Sequence, residues 1–153
     1  MRMYQISDFI NTTLAEDVDI DTLAVDKLGK VFTYYTHEDY HRLNDKLSFP
    51  YCHAFCYSKD TNATHTIFVV AIEVSALRVD SVVNGRITTE KTTDNIGVVI
   101  DAILKSIKTE LRSFGINDEK GFTIENISEM IVPPRGENDI RYMVEFEVQQ
   151  KSC

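Results

Sequence analysis

The chain has 153 residues, 43% of them hydrophobic and 26% charged, a composition that excludes collagen-like, low-complexity and largely disordered classes. Sixteen basic residues against twenty-four acidic ones give a net charge of -8. With no dense basic cluster to relieve that excess, phosphate-driven nucleic-acid binding and attachment to an acidic membrane surface are both disfavoured.

No run approaches the roughly 20 apolar residues that span a bilayer. The longest, Ile67 to Ile72, has the length of a strand. Met1 to Asp8 lacks a charged-then-apolar leader, and Cys52, Cys56 and Cys153 cannot all pair within one chain. The expectation is one domain over 1–153, with reduced thiols in a cytoplasm. The Asn-x-Thr/Ser matches at Asn11, Asn62 and Asn126 are then coincidences of spacing.

In chain order, Met3, Ile6, Phe9, Ile10 and Leu14 recur at three and four residues and predict a short amphipathic helix. Residues 15–29 read as an irregular connection closed by Gly29, and Val31 to Tyr35 as a short strand. Read as a short helix, the segment after Thr36 would have Tyr40, Leu43 and Leu47 as its apolar face and Thr36 and Asp39 as a capping pair. Phe49-Pro50 opens a strand from Tyr51 to Ser58, and Lys59 to Asn62 reads as a turn. A long strand follows, from Thr64 to about Val79.

Val82-Val83-Asn84-Gly85-Arg86-Ile87 is the sharpest local signal. Asn-Gly between β-branched residues favours a type I′ turn, which predicts a projecting hairpin over about 78–91. Thr92, Thr93 and Asp94 offer caps for a long helix from about Asn95 to Phe114. Its apolar stripe is Ile96, Val99, Ile100, Ile103, Leu104, Ile107, Leu111 and Phe114, and Gly115 stands at its end. A strand from Phe122 to Val132 ends at Pro133-Pro134-Arg135-Gly136. The last strand alternates, with Ile140, Tyr142, Val144, Phe146 and Val148 towards the core and Arg141, Met143, Glu145, Glu147 and Gln149 outward. This order predicts an α+β fold: a mostly antiparallel sheet of about four to six strands, two helices on one face and a projecting hairpin.

Two segments invite a metal reading. His37-Glu38-Asp39-Tyr40-His41 matches H-E-x-x-H, in which two His four residues apart grip Zn²⁺ and the Glu activates its water. The charge of Asp39 and the first-turn position of His37 favour a solvated helix instead, and the third-ligand candidates His53, His65 and Glu73 all fall in predicted strands. In Cys52-His53-Ala54-Phe55-Cys56, strand alternation turns His53 away from both thiols. No phosphate loop, nucleophile elbow or dinucleotide fingerprint occurs. Neither catalytic nor metal-binding residues are assigned, and no cofactor is expected. A small zinc hydrolase using His37, Glu38 and His41 stands as the alternative, with a generic cytoplasmic adaptor beside it.

The short amphipathic helix, the Phe49-Pro50 strand start, the long strand with its hairpin, the long helix and the alternating final strand together form a pattern. In element order and length, over about Met3 to Gln149, the chain resembles the tail terminator and tail-completion (neck) proteins of long-tailed bacteriophages, of the lambda type. That resemblance implies a non-enzymatic ring, usually a hexamer, at the head-proximal end of the tail in the virion. It would cap the tail tube protein, stop polymerisation and meet the head–tail connector protein, with DNA passing through unbound. The contact candidates are then Val82, Val83, Asn84, Gly85, Arg86 and Ile87 on the hairpin and Pro133, Pro134 and Arg135 at the turn, because projecting loops are where rigid scaffolds make contacts.

Overall fold

A computed structural model describes residues 2–43, 46–79, 81–88, 90–110, 122–134, 136 and 138–151, without the side chains of residues 81–83, 87, 88 and 90. The first periodic segment folds as α1 (Met3–Ala15), burying Ile6, Ile10 and Leu14. The stretch expected to be irregular holds a second helix, α2 (Val18–Leu28). Asp17 caps it, its carboxylate accepting from the Asp19 and Ile20 amides at 2.9 and 3.1 Å. Gly29, at φ +88°, closes it in the left-handed region. Ile20 and Ala24 are buried, but Val18 and Val25 face solvent. Those two valines blur the helical period, so the pattern did not read as a helix.

Next come β1 (Thr33–Tyr35), α3 (His37–Arg42), β2 (Tyr51–Thr61) and β3 (His65–Leu77). Thr36 caps α3 as expected, accepting from the Asp39 amide at 3.2 Å. The Phe49–Pro50 peptide bond is cis. Lys59, Asp60 and Thr61 continue β2 rather than turning. The turn lies one step later, where Asn62 Oδ1 accepts from the Thr64 and His65 amides, both at 2.8 Å. An Asx turn needs only that one side chain, so the polar residues before it are free to pair in the ladder.

The hairpin is β4 (Ser81–Val83) and β5 (Arg86–Thr88), a two-stranded sheet of its own. Asn84 and Gly85 take φ +52° and +77°, as a type I′ turn requires. Its outgoing arm is shorter than expected, because α4 (Glu90–Glu110) has already begun. Thr92, Thr93 and Asp94 therefore lie inside that helix rather than capping it. The Thr92 hydroxyl is buried and accepts from the Val79 amide at 2.9 Å, so it is committed to a tertiary contact. Ile96, Val99, Ile100, Ile103, Leu104 and Ile107 are buried as the stripe predicts. Leu111, Phe114 and Gly115 lie outside the described residues.

The chain ends in β6 (Phe122–Val132) and β7 (Asp139–Lys151). Five strands form one sheet in the order β1-β2-β3-β7-β6, parallel between β1 and β2 and antiparallel elsewhere. The fold is α+β. Three helices rather than two share one face: α1 and α4 pack on the sheet, and α2 packs on α4. Beneath them Phe68, Val70, Ile72, Val74, Val144, Phe146 and Val148 form the main core. On the opposite face α3 closes a second, smaller core of Tyr35, Tyr40 and Tyr51, flanked by Leu43, Leu47 and Phe49. Among the described residues no helix is long and apolar enough to cross a membrane.

The two sheet edges differ. On the β2 side, β1 pairs with residues 51–53, and α1 covers the backbone beyond them. Asn11 donates to the Ala54 carbonyl at 3.0 Å and accepts from the Ala54 amide at 3.3 Å, and Ser7 Oγ accepts from the Cys56 amide at 2.8 Å. At the other side β6 pairs with β7 alone among the described residues. It presents Ile127, Met130 and Ile131 to solvent, the last 61% exposed.

Candidate functional site

Strand alternation splits β2 into two chemistries. Cys52, Ala54 and Cys56 lie towards α1, and burial pushes both thiols up in pKa, away from the reactive thiolate form. Tyr51, His53 and Phe55 lie on the other face, under α3, and the ladder sets His53 opposite Glu73 and Glu73 opposite Met143. The helix sets the His37 and Tyr40 rings on this face, and the His41 ring packs against both of them. Tyr40 stacks on His53 with centroids 3.9 Å apart, and His37 stacks on both His53 and Phe55.

The three histidines form a line. His41 Nε2 is 3.2 Å from His37 Nε2, and His37 Nδ1 is 3.3 Å from His53 Nε2. His53 Nδ1 then faces Glu73 Oε2 at 3.9 Å. Exposed at His41, the line ends at a carboxylate with 1% of its surface exposed.

Glu73 is the hub. Its Oε1 accepts from the Tyr51 hydroxyl and from Arg141 Nε, each at 2.6 Å. Burial alone would raise its pKa, but the surrounding polar groups of His53, Arg141, Tyr40 and Tyr51 hold it at about 2. Burial and the Glu73 carboxylate push the Tyr51 hydroxyl up. Burial would lower Arg141, and its bond to Glu73 raises it instead. Arg141 Nη1 also donates to the Pro133 carbonyl at 2.9 Å, tying the Pro133-Pro134 turn to the buried hub.

His37 and His41 lie on the exposed side of a short helix, as the solvated-helix reading expects, but the segment also packs on the sheet. There His37 packs on a fully buried His53 rather than facing only water. The zinc geometry does not assemble from these rings. His37 spends its two nitrogens in opposite directions, so His37, His41 and His53 do not converge on one point. Glu38 is exposed, and His65 sits at the far end of β3, bonded to Thr64 at 2.9 Å. Among the described residues no group of three or more His, Cys, Asp or Glu side chains is placed to hold a metal ion. The sequence reading missed Tyr51 and Arg141, the second of which it turned outward into water. The ladder register, with Tyr51 and Arg141 both opposite Ser75 from the two neighbouring strands, is what brings them to Glu73.

Of the contact candidates, Asn84, Gly85 and Arg86 are exposed at the hairpin tip, and Pro133 and Pro134 are exposed where β6 ends. Val82, Val83 and Ile87 belong to the hairpin ladder by backbone, and their side chains lie outside what is described. Arg135 also lies outside the described residues. No protein-family model matches the chain. No curated protein matches it significantly.

The hub predicts a specific acid response. Between the ordinary 4.5 and the folded value of about 2, the unfolded chain takes up a proton on Glu73 that the folded chain refuses. Stability therefore falls as pH drops through that window. Urea unfolding of wild type and Glu73→Gln across it tests this: the wild-type curve should lose stability more steeply, and parallel slopes would remove Glu73 as the cause.

Proposed function

We propose that this chain is a ring-forming virion protein of the tail-terminator type, which caps the tail tube, halts its polymerisation and forms the joint to the head connector. The observation that supports assembly is the asymmetry of the sheet edges. Asn11 and Ser7 cover the β2 edge at Ala54 and Cys56, whereas among the described residues β6 pairs with β7 alone. An open edge bearing Ile127, Met130 and Ile131 is a liability in a lone chain and an asset in an assembled one. Different surfaces on the two flanks make a head-to-tail contact, and such contacts close into rings. The α+β pattern that carries the resemblance is compatible with this reading. A charge of -8 suits a channel through which DNA slides without counterion release.

Light scattering behind size exclusion tests assembly directly. Wild type should elute as a closed oligomer of about six subunits, and Met130→Lys combined with Ile131→Lys should leave a folded monomer with an unchanged unfolding midpoint. A double variant that still closes would remove β6 from the interface. A wild-type chain that stays monomeric at high concentration would sink the ring reading.

A further inference from the structure

The histidine line has two junctions, His41–His37 and His37–His53, each a pair of ring nitrogens 3.2–3.3 Å apart. A junction of that length holds together with one proton between its nitrogens, donated by one ring and accepted by the other. Three neutral rings supply one proton to each junction and one to an outer nitrogen, which the Glu73 carboxylate draws to His53 Nδ1. One further proton fits on the line's other outer nitrogen, His41 Nδ1, without disturbing either junction. The next has nowhere to go except a junction, where it sets N–H against N–H.

We infer that α3 is an acid-released latch: it stays docked over Tyr51, His53 and Glu73 while the line carries at most one extra proton, and it loosens when a second arrives. The groups around the line support this. On α3 itself Glu38 is exposed, and Asp39 is paired with Arg42 at 3.1 Å, so neither carboxylate turns in to neutralise His37. From β1 the facing polar group is Tyr35, whose hydroxyl accepts from the Ser48 amide at 2.8 Å. Strand β2 contributes Tyr51 and His53, β3 contributes Glu73, and β7 contributes Arg141, which already occupies that carboxylate. Burial, then His41 and His53, lower the pKa of His37, so the docked state resists the proton that the released state accepts. Below the free value of 6.5, docking therefore weakens as pH falls. The helix has only six residues to hold it, with Tyr40 as its buried anchor.

The reporters are the amides of Tyr40 and Leu43, which bond to the Thr36 and Asp39 carbonyls at 2.9 Å. Hydrogen exchange followed by NMR from about pH 7.5 to about pH 5 should show their protection factors fall by about tenfold, while those of Ile100 and Ile103 in α4 hold. His41→Gln is a surface change that leaves a neutral partner at the outer junction, so its α3 protection should fall clearly less over the same range. Unchanged wild-type protection overturns the latch. So does an equal fall in H41Q, or a loss shared by α3 and α4, which would mean that the whole fold is opening. Nitrogen shifts at the upper pH give a second reading: His37 and His53 should both carry their proton on Nδ1, and Nε2 tautomers at both positions would also overturn it.

Discussion

Replacing Arg141 with Met should destabilise the fold by about 3–5 kcal/mol, the largest effect expected of any change outside the main core. The reason lies in what is left behind. Glu73 is 98% out of water at its side chain, and with the guanidinium gone its carboxylate keeps only uncharged or titrating partners. A buried ion that loses its counter-charge costs far more than the pair contributes when intact, because desolvation is no longer offset. The Met stem is long enough to keep packing on the same face, so the loss reports charge rather than volume. Urea unfolding at neutral pH measures it. The gap between R141M and wild type should then narrow as pH falls towards 2, where Glu73 takes up its proton in both folded proteins. A loss under about 1 kcal/mol at neutral pH would mean that the carboxylate has another route to water. Because Arg141 also holds the Pro133 carbonyl, the variant should free the Pro133-Pro134 turn as well.

Phe146→Ala should cost a similar amount, about 3–5 kcal/mol, by a different mechanism. Phe146 is 1% exposed on β7, a strand paired on both sides, and stands opposite Val70 beneath the helix layer. Truncation removes its transfer energy and leaves a cavity between a sheet and helices that cannot both move in to fill it. The loss should be independent of pH and should leave the denaturant slope unchanged, which separates it from the Arg141 effect. On the neighbouring edge strand, Ile131→Ala should change monomer stability by less than about 0.5 kcal/mol, since that side chain is already in water. An equal loss at the two positions would refute the assignment of β6 as an open edge.

The contrast between α2 and α4 shows what periodicity can and cannot deliver. In α4 six apolar residues fall on one stripe and are all buried, so the helix was plain to read. Its start was not, because Thr92 is a good cap by type and was claimed instead by the Val79 backbone. In α2 the end signals were present, with Asp17 before it and Gly29 after it, but Val18 and Val25 broke the face. Caps are local chemistry and could have found this helix; a hydrophobic count alone could not.

Local chemistry was enough to determine the α+β class, the Asn84-Gly85 turn, the alternation of β7 and the separation of the β2 thiols from His53, because each depends on residues within a few positions of one another. The histidine line, the Glu73 hub and the unequal sheet edges depend on something else. His37 meets His53 only because α3 folds back across β2, and Arg141 reaches Glu73 across 68 residues only because β7 inserts beside β3 in one register. Asn11 covers one edge at Ala54 from 43 residues away. A sheet's long-range register is chosen by the sum of all its pairings and by the burial of one whole face, so no segment states it alone.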